Sequence, residues 1–313
     1  MATVAGGIFD TGTVSADNGA QISSFLDTLG ISESSITTVT PTVGGTTTIS
    51  DTTPVSTVSL SSGQTTTIQL SGSAGKTVII AGSGNASVVG GAGSDSVLGG
   101  DGGDSLTGGL GDDQIRGGYG NDSVYGGDGV DVLYGNQGDD AVGSNEGNDT
   151  FYGGMGNDTI TGGQDDDVDY GGRDADVAYG NTGNDALYGN QQNDTLYGGQ
   201  GNDVLYGGQN EDVLWGNVGS DTLFGGQGND VFAFRTGDGT DVIQDFVSGT
   251  DVIQIASNIN GLSVTSASDF LTRISSDASG NAVIDLGGGN QVTIVGLTAT
   301  DLQNNISSVI QIV

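Results

Sequence analysis

The chain has 313 residues, 61 of them Gly and only 34% hydrophobic, and its five Lys and Arg face 39 Asp and Glu for a formal net charge of -34. So lean an apolar share excludes a large compact core, and so negative a chain excludes nucleic acid phosphates and anionic membrane surfaces as partners. Cysteine and histidine are both absent; that removes disulfides, thiolate sites and the usual transition-metal ligands, and leaves oxygen donors suited to a hard cation such as calcium.

Residues 1–45 read as a leader or interaction element, with Ile22, Phe25, Leu26 and Leu29 at the spacing of a short amphipathic helix. Met1 to Gly30 holds no basic residue and no continuous apolar run, so no conventional signal peptide is predicted, and no window approaches the roughly 20 apolar residues of a membrane span. From 46 to 89 a β-rich N-terminal cap is predicted. VSTVSL (55–60), TTTIQL (65–70) and KTVIIAG (76–82) have strand composition, and AGSGNASVV (81–89) is a degenerate form of the repeat that begins at Gly90.

From Gly90 the chain falls into nine-residue units, GGAGSDSVL, GGDGGDSLT, GGLGDDQIR and onward to GGQGNDVFA, ending at Ala233 after sixteen units without insertion or deletion. The sixth position of every unit is Asp: Asp95, Asp104, Asp113, Asp122, Asp131, Asp140, Asp149, Asp158, Asp167, Asp176, Asp185, Asp194, Asp203, Asp212, Asp221 and Asp230. The eighth is Val, Leu, Ile or Phe in fourteen units. A disordered acidic linker has this composition but no phase. The phase predicts a glycine turn followed by a three-residue strand whose eighth-position side chain points inward. Two units then close one coil, and about eight coils stack into an all-β parallel roll. Two inward apolar residues per coil make a thin core, so metal must contribute much of the stability. A divalent ion between stacked carboxylates turns their repulsion into coordination.

Two units depart from the pattern. In GGQDDDVDY (162–170) and GGRDADVAY (171–179), Asp165 and Asp174 replace the fourth-position Gly, and Asp169 and Ala178 take the inward position. A buried Asp169 is costly, so this coil is expected to be distorted or slipped, and Asp167 and Asp176 are weaker candidate ligands. Gln192 and Asn210 also replace a fourth-position Gly.

The outward ninth position is mostly aromatic from mid-array. Tyr134, Tyr152, Tyr170, Tyr188, Tyr206 and Phe224 recur every 18 residues, which predicts a stacked ladder on one sheet. The other sheet's series, Tyr125, Gly143, Thr161, Tyr179, Tyr197 and Trp215, is interrupted. Such a ladder either stabilises its own sheet or offers a surface for a second copy of the chain or for a polysaccharide.

The repeat GGxGxDxUx, with U a large apolar residue, resembles that of the RTX (repeats-in-toxin) calcium-binding family. The resemblance implies a right-handed β-roll whose sixth-position carboxylates, with backbone carbonyls of the glycine-rich segment, hold calcium between successive turns. About fourteen ions would then bring about +28 and nearly cancel the chain's charge. After residue 233, FAFRTGDGTDVIQDFVSGTDVIQIA resembles the segment that succeeds the roll in serralysin-type proteases, which implies a β-sandwich-like cap over 234–313, with a helix near Thr298 to Ile306 and a type I secretion signal toward the C-terminus. The protease half does not transfer: without His there is no Ser-His-Asp triad, Cys-His pair or HExxH site. The expectation is a secreted, extracellular or cell-surface structural protein that folds on meeting calcium and self-assembles into a layer, filament or matrix. The alternative is an adhesin or carbohydrate-binding module using the aromatic ladder. Neither reading includes an enzyme, nucleic acid or a membrane span.

Overall fold

The computed structural model describes residues 37–39, 44–49, 55–60, 63–72 and 75–313; the expected helix carrying Ile22, Phe25, Leu26 and Leu29 lies outside them. The fold is an all-β parallel solenoid in two compact units, Met1–Thr159 and Ile160–Val313.

In the first unit, strands alternate between two parallel sheets. One carries Thr37–Val39, Val55–Leu60, Thr77–Gly82, Ser96–Asp101, Gln114–Tyr119, Val132–Gln137 and Thr150–Met155. The other carries Thr46–Ile49, Thr65–Leu70, Asn85–Val89, Ser105–Leu110, Ser123–Asp128 and Ala141–Gly143. Within the array the register step is 18 residues, as in Val97↔Ile115 and Leu133↔Phe151. The second unit repeats the scheme, with Leu187↔Leu205↔Leu223 on one sheet and Ala178↔Leu196↔Leu214 on the other.

Both ladders run on beyond the nonapeptides. The strands from Thr37–Val39 to Asn85–Val89 precede the array, and Thr240–Ile243, Val252–Ile255, Asn290–Ile294 and Ile310–Ile312 add parallel strands after it. Eight coils is therefore an undercount, because the period lengthens outside the array while inward residues such as Val58, Val78, Ile243 and Ile253 stay in place, all 0% exposed. Among the described strands, Ile274–Ser276 and Ala282–Gly287 are added antiparallel. The predicted helix is Ala299–Asn304, with the Thr298 side chain accepting from the Asp301 N–H.

Strands within the array are mostly six residues long, as in Ser105–Leu110 and Val204–Gln209, not three. They run from the seventh position through the third of the next unit, and both the eighth residue and the first glycine are buried, as with Leu106 and Gly108. The turn is therefore confined to the fourth to sixth positions.

The coil at 162–179 is regular, contrary to the expectation that it distorts. Val168–Arg173 and Val177–Thr182 are full strands, and Asp169 pairs in register with Leu187 while 0% exposed. Asp165 and Asp174 both adopt φ 72, and Gln192 and Asn210 φ 74 and 78, so these polar residues take the left-handed geometry of the glycines they replace; short polar side chains tolerate it best. The irregular coil lies elsewhere. Ser144 and Asn145 replace both glycines of a unit, and the strand before them shrinks to Ala141–Gly143.

Candidate metal centre

Every sixth-position Asp from Asp95 to Asp230 is at most 3% exposed. The carboxylates are held by a repeating bond in which Oδ1 accepts the backbone N–H of the sixth residue one coil earlier. Asp104 donates to Asp122 at 2.7 Å, Asp122 to Asp140 at 2.8 Å, Asp185 to Asp203 at 2.9 Å and Asp194 to Asp212 at 2.8 Å. The rungs form two columns, one beside each sheet.

The second carboxylate oxygen has a different fate. Oδ2 of Asp104, Asp113, Asp122, Asp140, Asp185, Asp194, Asp203 and Asp212 is buried and receives no hydrogen bond from the protein. It faces the first glycine of its own unit. A Cβ added to Gly198 would strike Asp203 Oδ2 and lie 2.7 Å from the Gly216 carbonyl oxygen; at Gly207 it would lie 2.5 Å from Asp212 Oδ2 and 2.7 Å from the Gly225 carbonyl. The missing methyl thus opens a cradle flanked by a carboxylate oxygen and by a main-chain carbonyl from the next coil.

Burial raises these acids. Asp113 and Asp122 are pushed up to about 8, Asp104, Asp194, Asp203 and Asp212 to about 7, and Asp140, Asp185 and Asp230 to about 6, in each case chiefly by desolvation. Neighbouring carboxylates add to the rise at Asp113, where Asp131, Asp95 and Asp112 all repel. A buried oxygen without a donor and with a raised proton affinity requires either a proton or a cation.

The donor set suits calcium. Among the described residues no three carboxylates converge on one point, so a cation in a cradle would meet one Asp oxygen beside backbone carbonyls. Calcium accepts six to eight such oxygens in flexible geometry. The same glycine cradle is present at Gly162 against Asp167 and at Gly171 against Asp176, at 2.5 and 2.6 Å.

A family model described as the RTX calcium-binding nonapeptide repeat (4 copies) matches residues 71–106, 107–142, 144–169, 170–205, 197–232 and 206–243, more than half of the chain. The chain belongs to the RTX calcium-binding repeat family. The RTX roll accordingly binds multiple calcium ions. No curated protein sequence matches the chain.

The RTX carboxylate columns extend beyond the phased repeats. Asp221 donates its N–H to Asp241 Oδ1 at 3.0 Å, and Asp230 donates to Asp251 Oδ1 at 3.2 Å. Asp241 is 1% exposed and burial pushes it to about 8. Phase alone misses both because their coils are two and three residues longer, although GDGTDVI keeps the G-x-G-x-D-x-I spacing. Asp251 is satisfied within its own turn, since Val247 donates to its Oδ2 at 2.7 Å. Asp131 also differs, because the Ser144 hydroxyl donates to its Oδ2 at 3.0 Å.

The cradle makes a direct prediction. Gly198→Ala places a methyl between Asp203 Oδ2 and the Gly216 carbonyl and is expected to destabilise the loaded roll by about 1–3 kcal/mol. A calcium titration followed by circular dichroism should show a higher midpoint; an unchanged midpoint would mean that the cradle is not a metal site.

On each sheet the outward aromatics stack within a unit. Tyr134 and Tyr152 lie 4.7 Å apart between ring centroids, and Tyr170–Tyr188, Tyr188–Tyr206 and Tyr206–Phe224 lie at 4.9, 4.8 and 4.5 Å, all within 12° of parallel. The other face of the second unit carries Tyr179, Tyr197 and Trp215, with the Arg235 guanidinium 3.8 Å over the Trp215 ring.

Proposed function

We propose that this RTX protein is a secreted structural protein that folds on meeting extracellular calcium and then self-assembles into a surface layer, filament or matrix. The observation that carries the folding step is the column of buried Oδ2 atoms without a protein donor. The sixth-position carboxylates, Asp95 to Asp230, with carbonyls of the glycine-rich turns, are the proposed calcium ligands; Asp167 and Asp176 have the same cradle as the others. Ile310–Ile312 pairs with Val252–Ile255 in the folded chain, so an export signal there would be legible only before the roll closes.

Assembly is proposed to use the aromatic ladders. Parallel stacked rings at 4.5–4.9 Å form a rigid, flat strip. Absence of His and Cys removes the common nucleophilic triads, and an RTX roll is a structural calcium-binding arrangement. Changing Tyr152, Tyr170, Tyr188 and Tyr206 together to Ser should abolish calcium-induced particles under electron microscopy while circular dichroism still reports a folded roll. Particles that persist unchanged would refute the ladder as the assembly surface. Should they persist while retention on insoluble polysaccharide is lost, the adhesin reading takes its place.

A further inference from the structure

In a chain of net charge -34, the roll strands of the second unit keep their outer faces clear of carboxylates. On one sheet, Val177–Thr182, Thr195–Gly201 and Val213–Gly219 contain no acidic residue. On the other, Val168–Arg173, Ala186–Gln191, Val204–Gln209 and Thr222–Gln227 contain only Asp169, at an inward position and 0% exposed. The acids are gathered in the turns instead, where Asp165, Asp166, Asp174 and Glu211 are exposed. The first unit lacks this segregation. Leu110, Asp128 and Glu146 follow one another at the third position of its second sheet, and Tyr125 there pairs with Gly143 in place of a ring.

The sheet of Val177–Thr182 has an apolar outer face. Tyr179 is 37% and Val218 52% exposed, and Val177, Tyr197, Val213 and Trp215 are half-buried. The inner faces carry Leu196 and Leu214 on this sheet and Leu187, Leu205 and Leu223 on the other, all 0% exposed, so the two outer faces point in opposite directions.

Ring geometry and charge select the occupant. Tyr179 and Tyr197 stack at 4.9 Å within 4°, and Arg235 lies over Trp215 at 3.8 Å. Ring faces are thus spent on neighbours, and ring edges turn outward. A sugar that docks by lying on a ring face finds little to stack on. A second copy of the chain has the same coil spacing, so its rings meet these edges rung for rung. Without carboxylates, two such faces can approach to the roughly 10 Å of packed sheets, whereas the acidic turns repel one another.

We propose that the outer face of Val177–Thr182, Thr195–Gly201 and Val213–Gly219 is a second docking surface for another copy of the chain, on the opposite side from the ladder of Tyr170, Tyr188, Tyr206 and Phe224. Two opposed surfaces make the chain bivalent, so assembly propagates copy upon copy where one surface would stop at a pair. The inference rests on the aromatic ladders mediating assembly, as proposed above.

The test follows the full-length, calcium-loaded chain by sedimentation velocity and electron microscopy. Gln200→Asp with Val218→Asp puts carboxylates at the third position, which already carries Asp128 and Glu146 in the first unit, and leaves every ring in place. This variant should keep the wild-type circular dichroism and form nothing larger than a dimer, while the wild type forms extended particles. Extended particles from the folded variant would overturn the proposal. Should calcium not fold it, Tyr179→Ser with Tyr197→Ser decides by the same readout. Lost retention on insoluble polysaccharide with assembly unchanged would assign the face to a carbohydrate and equally overturn it. A wild-type chain that stays monomeric in calcium would instead refute the assembly reading itself, so the two failures are distinguishable.

Discussion

Stripping calcium from the chain at neutral pH will unfold most of the roll. The buried, donor-less Oδ2 of Asp104, Asp113, Asp122, Asp140, Asp185, Asp194, Asp203 and Asp212 each carry a desolvation penalty of about 1–3 kcal/mol, and more when charged. For eight groups that is about 8–24 kcal/mol, comparable with or above the roughly 5–15 kcal/mol that keeps an ordinary domain folded. The apolar offset is small, since each array coil buries only two large side chains, such as Leu205 and Leu214. A formal charge of -34 adds self-repulsion. Far-UV circular dichroism after chelation should lose the greater part of its β signal and regain it when calcium is returned. Residual structure is expected around Phe234, Ile255, Phe270, Ile284, Leu286, Ile294 and Leu302, which form a conventional core with 0–2% exposure. A full β spectrum in chelator would refute the account.

Acid will partly replace calcium. In the metal-free fold Asp104, Asp113, Asp122, Asp194, Asp203 and Asp212 are raised by burial from an ordinary 3.8 to about 7 or 8. A carboxyl whose folded value is raised gives stability that is full below about 3.8 and lost as pH rises through about 7 to 8. The metal-free chain should therefore hold more β structure at about pH 5 than at about pH 8. A proton serves the same Oδ2 that calcium serves, so less calcium should be needed to fold the chain as pH falls from about 8 to about 5. Both trends are readable by circular dichroism on metal-stripped protein, with sedimentation to exclude precipitate. A metal-free chain that gains structure toward pH 8 would contradict the assignment of these buried acids.

Much of this is legible in the residues because a nonapeptide is a local pattern. Asp at every sixth position and an apolar residue at the eighth state where carboxylates and core must lie, and the ninth-position series states which aromatics meet one coil apart. The differences between expectation and structure share one cause, which is that backbone geometry decides where side-chain type alone misleads. Asp165 and Asp174 are disruptive by type, yet each adopts φ 72 in a regular coil. Ser144 is harmless by type, yet its hydroxyl fills a cradle and the preceding strand is cut to Ala141–Gly143. Asp241 and Asp251 escape the phase because two or three extra residues break it without breaking the ladder.

Residue type repeated at a fixed interval is enough to specify the family, the two-sheet roll, the acidic columns and the need for a hard cation. Only the tertiary structure decides which oxygen of each Asp is spent on the neighbouring coil's N–H and which is left facing a glycine cradle. Those outcomes depend on contacts between residues about 18 positions apart, whose distances of 2.6–3.2 Å arise only when the coils stack.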